Sequence, residues 1–399
     1  MLEIVDQFRE KGTLDELGFG SIRDSFADLF FPGISTIQTR ARYLLFVPWI
    51  YADIEKAGLP FAQVDARARR DQARLAAALQ QGGEGESQGV IGIAAGEALV
   101  RTPAEIYWGA LGRFKVWRYQ GSLAQYYGAI RKVGGLRSTV RSDDGELVEQ
   151  TGIVGWHRDL PPAPDGLLES TTLSLSRPEA DYLRERIAVE APGTLLARCI
   201  DGGRRLGAID YPWQHPNFHS FPKTLQREIE HAQRFSIVAF GAVLLYNLML
   251  AEKAEELELG VAEGLVEQRR EEMQAWAKEV ADTGHFIAKW PIDDFWATVL
   301  TQKHRVGYPT RQFVDAIIAL AQDAPATLAQ NHVARRMLTN RELSLKGGLA
   351  RLTNRRALER YSGSAGLSRM NYRWPNVKQI VRDIQQGLGR SDPAVPSNA

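Results

Sequence analysis

Apolar and polar residues alternate with the 3.6-residue period of helices along most of the chain. "GSIRDSFADLF" (residues 20–30) and "STIQTRARYLLFVPWIYADIEKAG" (35–58) read as a helical hairpin, and Ser35 stands where an N-cap is expected. The opening "MLEIVDQFREKG" has acids where an export signal would need basic residues, so we read it as the first helix of the fold. These patterns predict a helical N-terminal domain over residues 1–134.

The pattern changes after residue 134. Residues 135–170 contain the turn "RSDDGE" and the proline-rich "DLPPAPDG", which predict an irregular linker. "TTLSLS" (171–176) alternates in the manner of a short strand, and it runs into a helix start with Ser176 and Glu179 at capping-box spacing. We therefore expect a mainly α-helical protein with little strand. It would have two helical domains, the second at 171–330, followed by a basic C-terminal helical segment at 331–399.

The longest apolar run is "FSIVAFGAVLLYNLMLA" (235–251), which holds no charged residue and approaches the roughly 20 residues that span a bilayer. It contains Ser236, Gly241 and Asn247, and charged helical sequence continues on both sides. These features favour a buried central helix over a membrane span, and we expect no membrane contact.

Composition agrees with a folded cytoplasmic protein. The 399 residues are 44% hydrophobic and 24% charged, as in ordinary globular proteins. A single cysteine, Cys199, excludes an internal disulfide and any multi-cysteine zinc site, which fits a reducing compartment. Because its surroundings, "LLARCI", are apolar, we expect Cys199 to be an inert core residue.

Common catalytic motifs are missing. The sequence has no phosphate loop, dinucleotide-binding glycine motif, H-E-x-x-H or G-x-S-x-G. His215 and His219 in "HPNFH", with His231 and Glu228 downstream, have side chains that can ligate a metal, but Pro216 argues against a helical pair. We expect no metal, no cofactor and no catalytic residue that can be named from the sequence.

Positive charge collects at the C-terminal end. Residues 331–390 hold 13 Lys or Arg against three acids, whereas the rest of the chain holds 36 against 45. Tyr361, Tyr372 and Trp374 are interleaved with these charges, and such a segment favours nucleic-acid binding. DNA is the nucleic acid that we expect. We expect Trp374 itself to be a core residue. The alternative is docking, with the arginines paired to a partner protein or to the acidic bulk. The predicted nucleic-acid-binding residues are Arg335, Arg336, Arg341, Lys346, Arg351, Arg355, Arg356, Arg360 and Arg373.

A second concentration of polar groups lies at the start of the predicted helix at residues 35–58. If Ser35 caps this helix, its first turn would attract an anion. Arg40 shares a face with apolar residues and needs a partner, for which Asp24 or Asp28 is the structural candidate and a phosphate the functional one. An enzyme site built on these arginines and the "YPWQHPNFH" loop is a further alternative. The candidate anion site comprises Ser35, Thr36, Arg40 and Arg42.

Four stretches carry a resemblance to a known group of proteins: "LDELGFGSIRDSFADLFFPGISTIQTRARYLLFVPWIY", "AEIYWGALGRF", "GAVLLYNLMLAE" and "YRWPNVKQIVRDIQQGL". Together they resemble an uncharacterised bacterial family of unknown function whose members have about this length. The resemblance implies a gene context in anti-phage defence islands, beside helicase-like and phospholipase-D-like proteins.

From this context we expect an accessory, non-catalytic nucleic-acid-binding subunit of a defence assembly. The alternative is a protein-docking adaptor, and a less favoured one is an enzyme with an unrecognised site.

Overall fold

The computed structural model describes residues 15–93, 99–132, 137–141, 147–151, 155–202, 206 and 209–389. The helix predicted at the very start of the chain and the last ten residues of the predicted basic segment lie outside this part. The expectation of a mainly α-helical fold is confirmed for the part that the structure describes.

Helices supply nearly all of the regular structure. The described 3₁₀ turns are Glu86–Gln88, Pro212–Gln214, Phe218–Ser220, Pro325–Gln330 and Gly347–Leu349. In chain order the helices and strands are α1 (Gly20–Phe30), α2 (Tyr43–Ala57), α3 (Phe61–Gln81), α4 (Pro103–Arg113), α5 (Leu123–Lys132), β1 (Arg137–Arg141), β2 (Leu147–Thr151), α6 (Arg177–Glu190), α7 (Leu195–Asp201), α8 (Lys223–Glu256), α9 (Leu265–Asp282), α10 (His285–Ala288), α11 (Ile292–Leu300), α12 (Tyr308–Asp323), α13 (His332–Lys346), α14 (Arg355–Leu358) and α15 (Trp374–Gly387).

Two local predictions for residues 135–176 need correction. Strands β1 and β2 pair antiparallel within the stretch predicted to be irregular, with Val140 opposite Val148. "TTLSLS" forms no strand, because its residues instead lead into α6, where the Ser176 N–H donates to the Glu179 carboxylate at 2.8 Å. The predicted helix start at residue 177 is confirmed.

The described residues form two compact units. Unit 1 holds residues 15–27, 211–214 and 218–372, and unit 2 holds the described residues of 28–210, 215–217 and 373–389. Each unit draws on segments that are far apart in the sequence, whereas the sequence analysis placed its domain boundaries in linear order at residues 134, 170 and 330.

The core of unit 2 is built on α2, which buries every residue from Tyr43 to Tyr51. Near the middle of α2, the ring of Tyr51 enters an aromatic cluster with Trp108, Trp117, Tyr126 and Trp156. The closest ring centroids, those of Trp117 and Trp156, are 4.9 Å apart. Aromatic packing of this density fixes the loop that holds Trp156 against two helices.

The core of unit 1 is the 34-residue helix α8. Its most apolar 18-residue window has a mean hydropathy of 1.8, enough to cross a membrane, but 78% of that window is buried inside the protein. Gly241 permits close packing, since a Cβ there would lie 2.2 Å from Cζ2 of Trp276. The predicted buried central helix is thereby confirmed.

Candidate functional site

The segment that precedes α2 does not fold as predicted. Helix α2 begins at Tyr43, so the predicted start at Ser35 is wrong. The backbone N–H groups of Thr39 and Arg40 donate to the Tyr107 hydroxyl at 2.8 and 3.0 Å, and that of Ala41 donates to Asp383 at 2.9 Å. These tertiary hydrogen bonds replace the helical ones, which sequence periodicity could not anticipate.

Arg40 is neutralised by an acid that the sequence analysis did not consider. Its Nε donates to both carboxylate oxygens of Asp383, at 2.9 and 3.0 Å, and its Nη1 donates to the Gln88 carbonyl at 2.8 Å. The predicted partners, Asp24 and Asp28, are therefore wrong. Burial raises the pKa of Asp383, although the Arg40 charge and the hydrogen bonds act to lower it.

Arg42 is also occupied within unit 2. Its Nη2 donates to Glu179 at 2.8 Å and its Nη1 to the Thr172 carbonyl at 2.7 Å, while the guanidinium lies 5.2 Å from the ring centroid of Phe46. Ser35 Oγ is buried without a hydrogen-bond partner, and the Thr36 carbonyl accepts from Asn376. The candidate anion site therefore has no helix end, and both of its arginines are held by acids.

Most of the predicted nucleic-acid-binding residues make internal contacts. Arg335 donates to Glu252 at 2.6 Å, and Arg341 is buried with its Nε donating to the Leu17 carbonyl at 2.9 Å. Arg373 pairs with Asp28 at 2.5 Å. Lys346 and Arg351 both pair with Glu16.

The aromatic residues of the basic segment are core residues. Tyr361, Tyr372 and Trp374 are buried, and the Trp374 indole donates to the Ile209 carbonyl at 3.1 Å. The expectation that Trp374 is a core residue is confirmed. None of the three rings presents an open face on which a base could stack.

Four of the predicted residues remain exposed: Arg336, Arg355, Arg356 and Arg360. Arg355 lies 3.5 Å from Glu359, an exposed pair one helical turn away that contributes little. For Arg336, Arg356 and Arg360, the described residues offer no ion pair. Since Arg382 is exposed as well, five of the 12 cations that the structure describes between residues 331 and 389 are exposed.

Two of these arginines border a groove in unit 1. Its volume is about 720 Å³, which is within the range of ligand pockets. The groove combines unpaired cations with exposed leucines: Leu349 is 69% exposed and Leu345 is 44% exposed. The lining residues are Asp15, Glu16, Gly18, Leu345, Lys346, Leu349, Arg351, Asn354, Arg356, Ala357 and Arg360.

A buried charge network fixes the floor of this groove. Glu16 accepts from Lys346 and, at 2.9 Å, from Arg351, while the fully buried Glu342 accepts from Lys346 at 3.0 Å. Burial acts to raise the pKa of Glu342, but the Tyr246 hydroxyl and two backbone N–H groups outweigh it and lower the pKa. Glu342 therefore stays ionised, and the network holds α13 and the following loop in place.

Sequence reasoning missed the leucines of the groove. The buried face of α13 consists of Ala334, Leu338, Arg341 and Glu342, and helical spacing places Leu345 on the same stripe although it is 44% exposed. Periodicity predicts a buried residue at this position, so the sequence carried no signal for its exposure. Leu349 lies in the 3₁₀ turn after the helix, where helical periodicity makes no prediction.

The other candidate groups have structural surroundings. Burial lowers the pKa of His215 to about 4, and its Nδ1 accepts from the Asn217 N–H at 3.1 Å. Cys199 is buried as predicted, which raises the pKa of its thiol. Among the residues that the structure describes, no group of three or more His, Cys, Asp or Glu side chains could hold a metal ion.

The fold and the groove define a mainly α-helical protein in which one groove of unit 1 combines arginines with exposed leucines. The sequence profile of one family matches residues 2–386. The chain therefore belongs to DUF6361, a family of unknown function. No curated protein and no solved structure matches the chain.

Proposed function

We propose that the protein is a docking component, and that the groove of unit 1 receives an acidic segment of a partner protein. The proposal rests on one observation, the exposed Leu349 beside two arginines, Arg356 and Arg360, without ion pairs in the described structure. Exposed leucines in a concave surface favour an apolar ligand, and unpaired arginines at its border favour an anionic one. A peptide that carries both leucine and glutamate satisfies both.

The burial of the basic segment supports a protein rather than a nucleic acid as the occupant. Arg335, Arg341 and Arg351 are engaged with other groups of unit 1, and the rings predicted to stack on bases are core. A nucleic-acid surface would need more exposed cations and no leucines at its centre.

The biological setting forms part of the same proposal. The resemblance noted in the sequence supports a setting beside helicase-like and phospholipase-D-like proteins in bacterial defence islands. We propose that one of these cytoplasmic partners supplies the acidic segment, and that the protein itself is an accessory subunit without catalysis.

Nucleic-acid binding is the second candidate function, and DNA is the nucleic acid that we expect. The exposed Arg336, Arg355, Arg356 and Arg360 favour it. These four residues would contact about four phosphates, fewer than the nine predicted basic residues suggest. Such binding would depend on charge alone.

Fluorescence anisotropy with two probes separates the candidates. The first probe is a 12-residue peptide of alternating Glu and Leu, and the second is a DNA duplex of about 20 base pairs. The Leu349→Asn variant should weaken peptide binding about fivefold to thirtyfold, because burial of the Leu349 side chain contributes about 1–2 kcal/mol to the free energy of binding. Leu343→Asn is the matched control, since Leu343 is also exposed, at 44% against 69% for Leu349, but does not line the groove.

The outcomes are distinct. Loss of peptide binding in Leu349→Asn, with DNA binding unchanged or absent, supports docking. Equal peptide affinity in wild type, Leu349→Asn and Leu343→Asn contradicts it. Duplex binding that weakens when Arg336, Arg355, Arg356 or Arg360 is replaced supports the second candidate. In cells, we expect a partner protein to be recovered with the wild-type protein even after nuclease treatment. This partner should be lost with Leu349→Asn and retained with Leu343→Asn.

A further inference from the structure

One face of helix α6 carries polar groups that the protein does not satisfy. Glu179, Tyr182 and Arg186 are all buried on this face. Glu179 accepts from Arg42, but the Tyr182 hydroxyl is buried without a hydrogen-bond partner. Arg186 is only 8% exposed, and no side chain or backbone group of the described residues forms a hydrogen bond or ion pair with it.

A third donor lies beside these two. The ring of His157 is 5.7 Å from that of Tyr182, between centroids. Its Nδ1 accepts from the Asp159 N–H at 3.3 Å, so the proton of the neutral ring is on Nε2. Burial and the Arg186 charge lower the pKa of His157, which keeps the ring neutral near pH 7.

The loop that contains His157 is held in place by hydrogen bonds at both of its ends. The His157 N–H donates to the Val116 carbonyl at 2.9 Å, and the Trp49 indole donates to the Pro161 carbonyl at 2.7 Å. The His157 donor is therefore held in place before any ligand arrives, which reduces the entropic cost of binding.

The site has donors but no acceptor for them. Asp159 and Glu185 are the nearby acids, yet both are exposed and neither bonds to Arg186. A buried hydroxyl without a partner is costly, and the Arg186 guanidinium, which keeps some contact with water, has no acid among the described residues to neutralise it. An acceptor from outside the chain would satisfy both groups.

We propose that Tyr182, Arg186 and His157 bind a phosphate-type oxyanion. Two guanidinium N–H groups can bond two oxygens of such an anion side by side, and the phenol and imidazole can donate to the others. The anion would be the phosphate group of a small molecule or of a nucleic-acid backbone. The site belongs to unit 2 and does not depend on the docking groove of unit 1.

Calorimetric titration with inorganic phosphate at constant ionic strength tests the proposal on the full chain. Wild type should bind phosphate, Arg186→Leu should bind it at least about tenfold more weakly, and Tyr182→Phe about threefold to tenfold more weakly. Arg184→Leu is the matched control, because Arg184 lies on the same helix and pairs with Asp181, and it should bind as wild type does. Absence of wild-type binding, or equal binding by Arg186→Leu, overturns the site.

A melting experiment in phosphate-free buffer guards against a purely structural role. Arg186→Leu and Tyr182→Phe should melt at or above the wild-type temperature there, because each removes an unsatisfied polar group. Phosphate should raise the melting temperature of the wild type and of Arg184→Leu, but not that of Arg186→Leu or Tyr182→Phe. A fall of several degrees in both site variants without phosphate would show that the groups have partners in the protein, and would overturn the proposal.

A competition experiment identifies the source of the anion. A single-stranded 12-nucleotide DNA that displaces phosphate from wild type, and that Arg186→Leu fails to bind, points to a nucleic-acid backbone. Phosphate binding that the oligonucleotide leaves unchanged points to a small phosphorylated molecule. Both results require the same three donors and support the site.

Discussion

Two pairs of arginines in this protein have opposite surroundings. Arg40 and Arg42 of unit 2 lie against the carboxylates of Asp383 and Glu179, which are themselves buried. Arg356 and Arg360 of unit 1 border an open groove, and the described residues provide no acid for them. The first pair holds segments together that are more than 130 residues apart in the sequence, whereas the second faces outward.

The difference teaches that the position of a charge, and not its abundance, decides its role. Residues 331–390 carry a net excess of ten cations, yet most of those predicted to bind a ligand are engaged inside the protein. A buried ion pair contributes structural specificity and is costly to break, while an exposed arginine costs little and is available to a partner.

The strongest test of this comparison is Arg40→Ala. Asp383 would be left as a buried carboxylate without its cation, so we expect a loss of about 3 to 5 kcal/mol in the free energy of unfolding. Thermal unfolding followed by circular dichroism at pH 7 measures this loss. The neighbouring backbone contact at Ala41 should weaken too, since Asp383 also accepts from that N–H.

The control for this variant is Arg158→Ala. Arg158 is in the same unit and lies 3.4 Å from Asp159, but their side chains are 87% and 65% exposed. Its removal should change stability by less than about 0.5 kcal/mol. If Arg40→Ala and Arg158→Ala melt alike, burial does not distinguish these pairs and the comparison fails.

Glu55 sharpens the comparison because it is a partly buried acid that has no ion pair among the described residues. Its Oε1 accepts from the Tyr126 hydroxyl at 2.8 Å and the Trp156 indole at 3.2 Å, within the aromatic cluster of unit 2. Burial raises its pKa from 4.5 to about 7, although both hydrogen bonds act to lower it. Since the folded state holds this proton more tightly, the stability is fully present below about pH 4.5 and is lost as the pH rises through 7.

We therefore expect unit 2 to lose about 2 to 3 kcal/mol between pH 4.5 and pH 8 through Glu55. Glu55→Gln should flatten this part of the pH profile, since a neutral amide oxygen can still accept from Tyr126 and Trp156. Urea unfolding at several pH values provides the measurement. An identical pH dependence in wild type and Glu55→Gln would mean that the carboxylate is solvated.

The helical content of the protein could be predicted from the sequence because periodicity reports which face of a helix is buried. The start of α6 followed from the Ser176 and Glu179 spacing, and the burial of α8 followed from polar residues within an apolar run. Trp374 was expected as an anchor, since the apolar positions of α15 need one at its start. These features depend on contacts that are local in the sequence.

Other features could not be predicted because they depend on distant residues. The start of α2 is set by Tyr107 and Asp383, and the partner of Arg40 lies 343 residues away. The groove likewise depends on Glu16, which engages Lys346 and Arg351 from the other end of the chain. A single sequence shows that such charges exist but not which of them meet.

The smallest expected effect on stability comes from the outward-facing pair. The double variant Arg356→Gln, Arg360→Gln should change the melting temperature by no more than about 1 °C, because neither side chain has an ion pair to lose. It should nevertheless weaken binding of the peptide of alternating Glu and Leu about tenfold, since charge-assisted contacts to carboxylates are lost. Anisotropy and melting on the same samples measure both.

Salt dependence extends this last test to DNA. If only the exposed arginines of the predicted set, Arg336, Arg355, Arg356 and Arg360, contact phosphates, the logarithmic affinity of wild type for a duplex should fall with a slope of about −4, and that of the double variant with a slope of about −2. Arg336→Gln alone should flatten the slope by about 1 and leave peptide binding unchanged, because Arg336 lies outside the groove. A wild-type slope much steeper than −4 would mean that paired residues such as Arg335 and Arg351 leave their acids to meet phosphates. The distinction between inward and outward arginines would then hold only for the unbound protein, because ligand phosphates would compete successfully with Glu252 and Glu16.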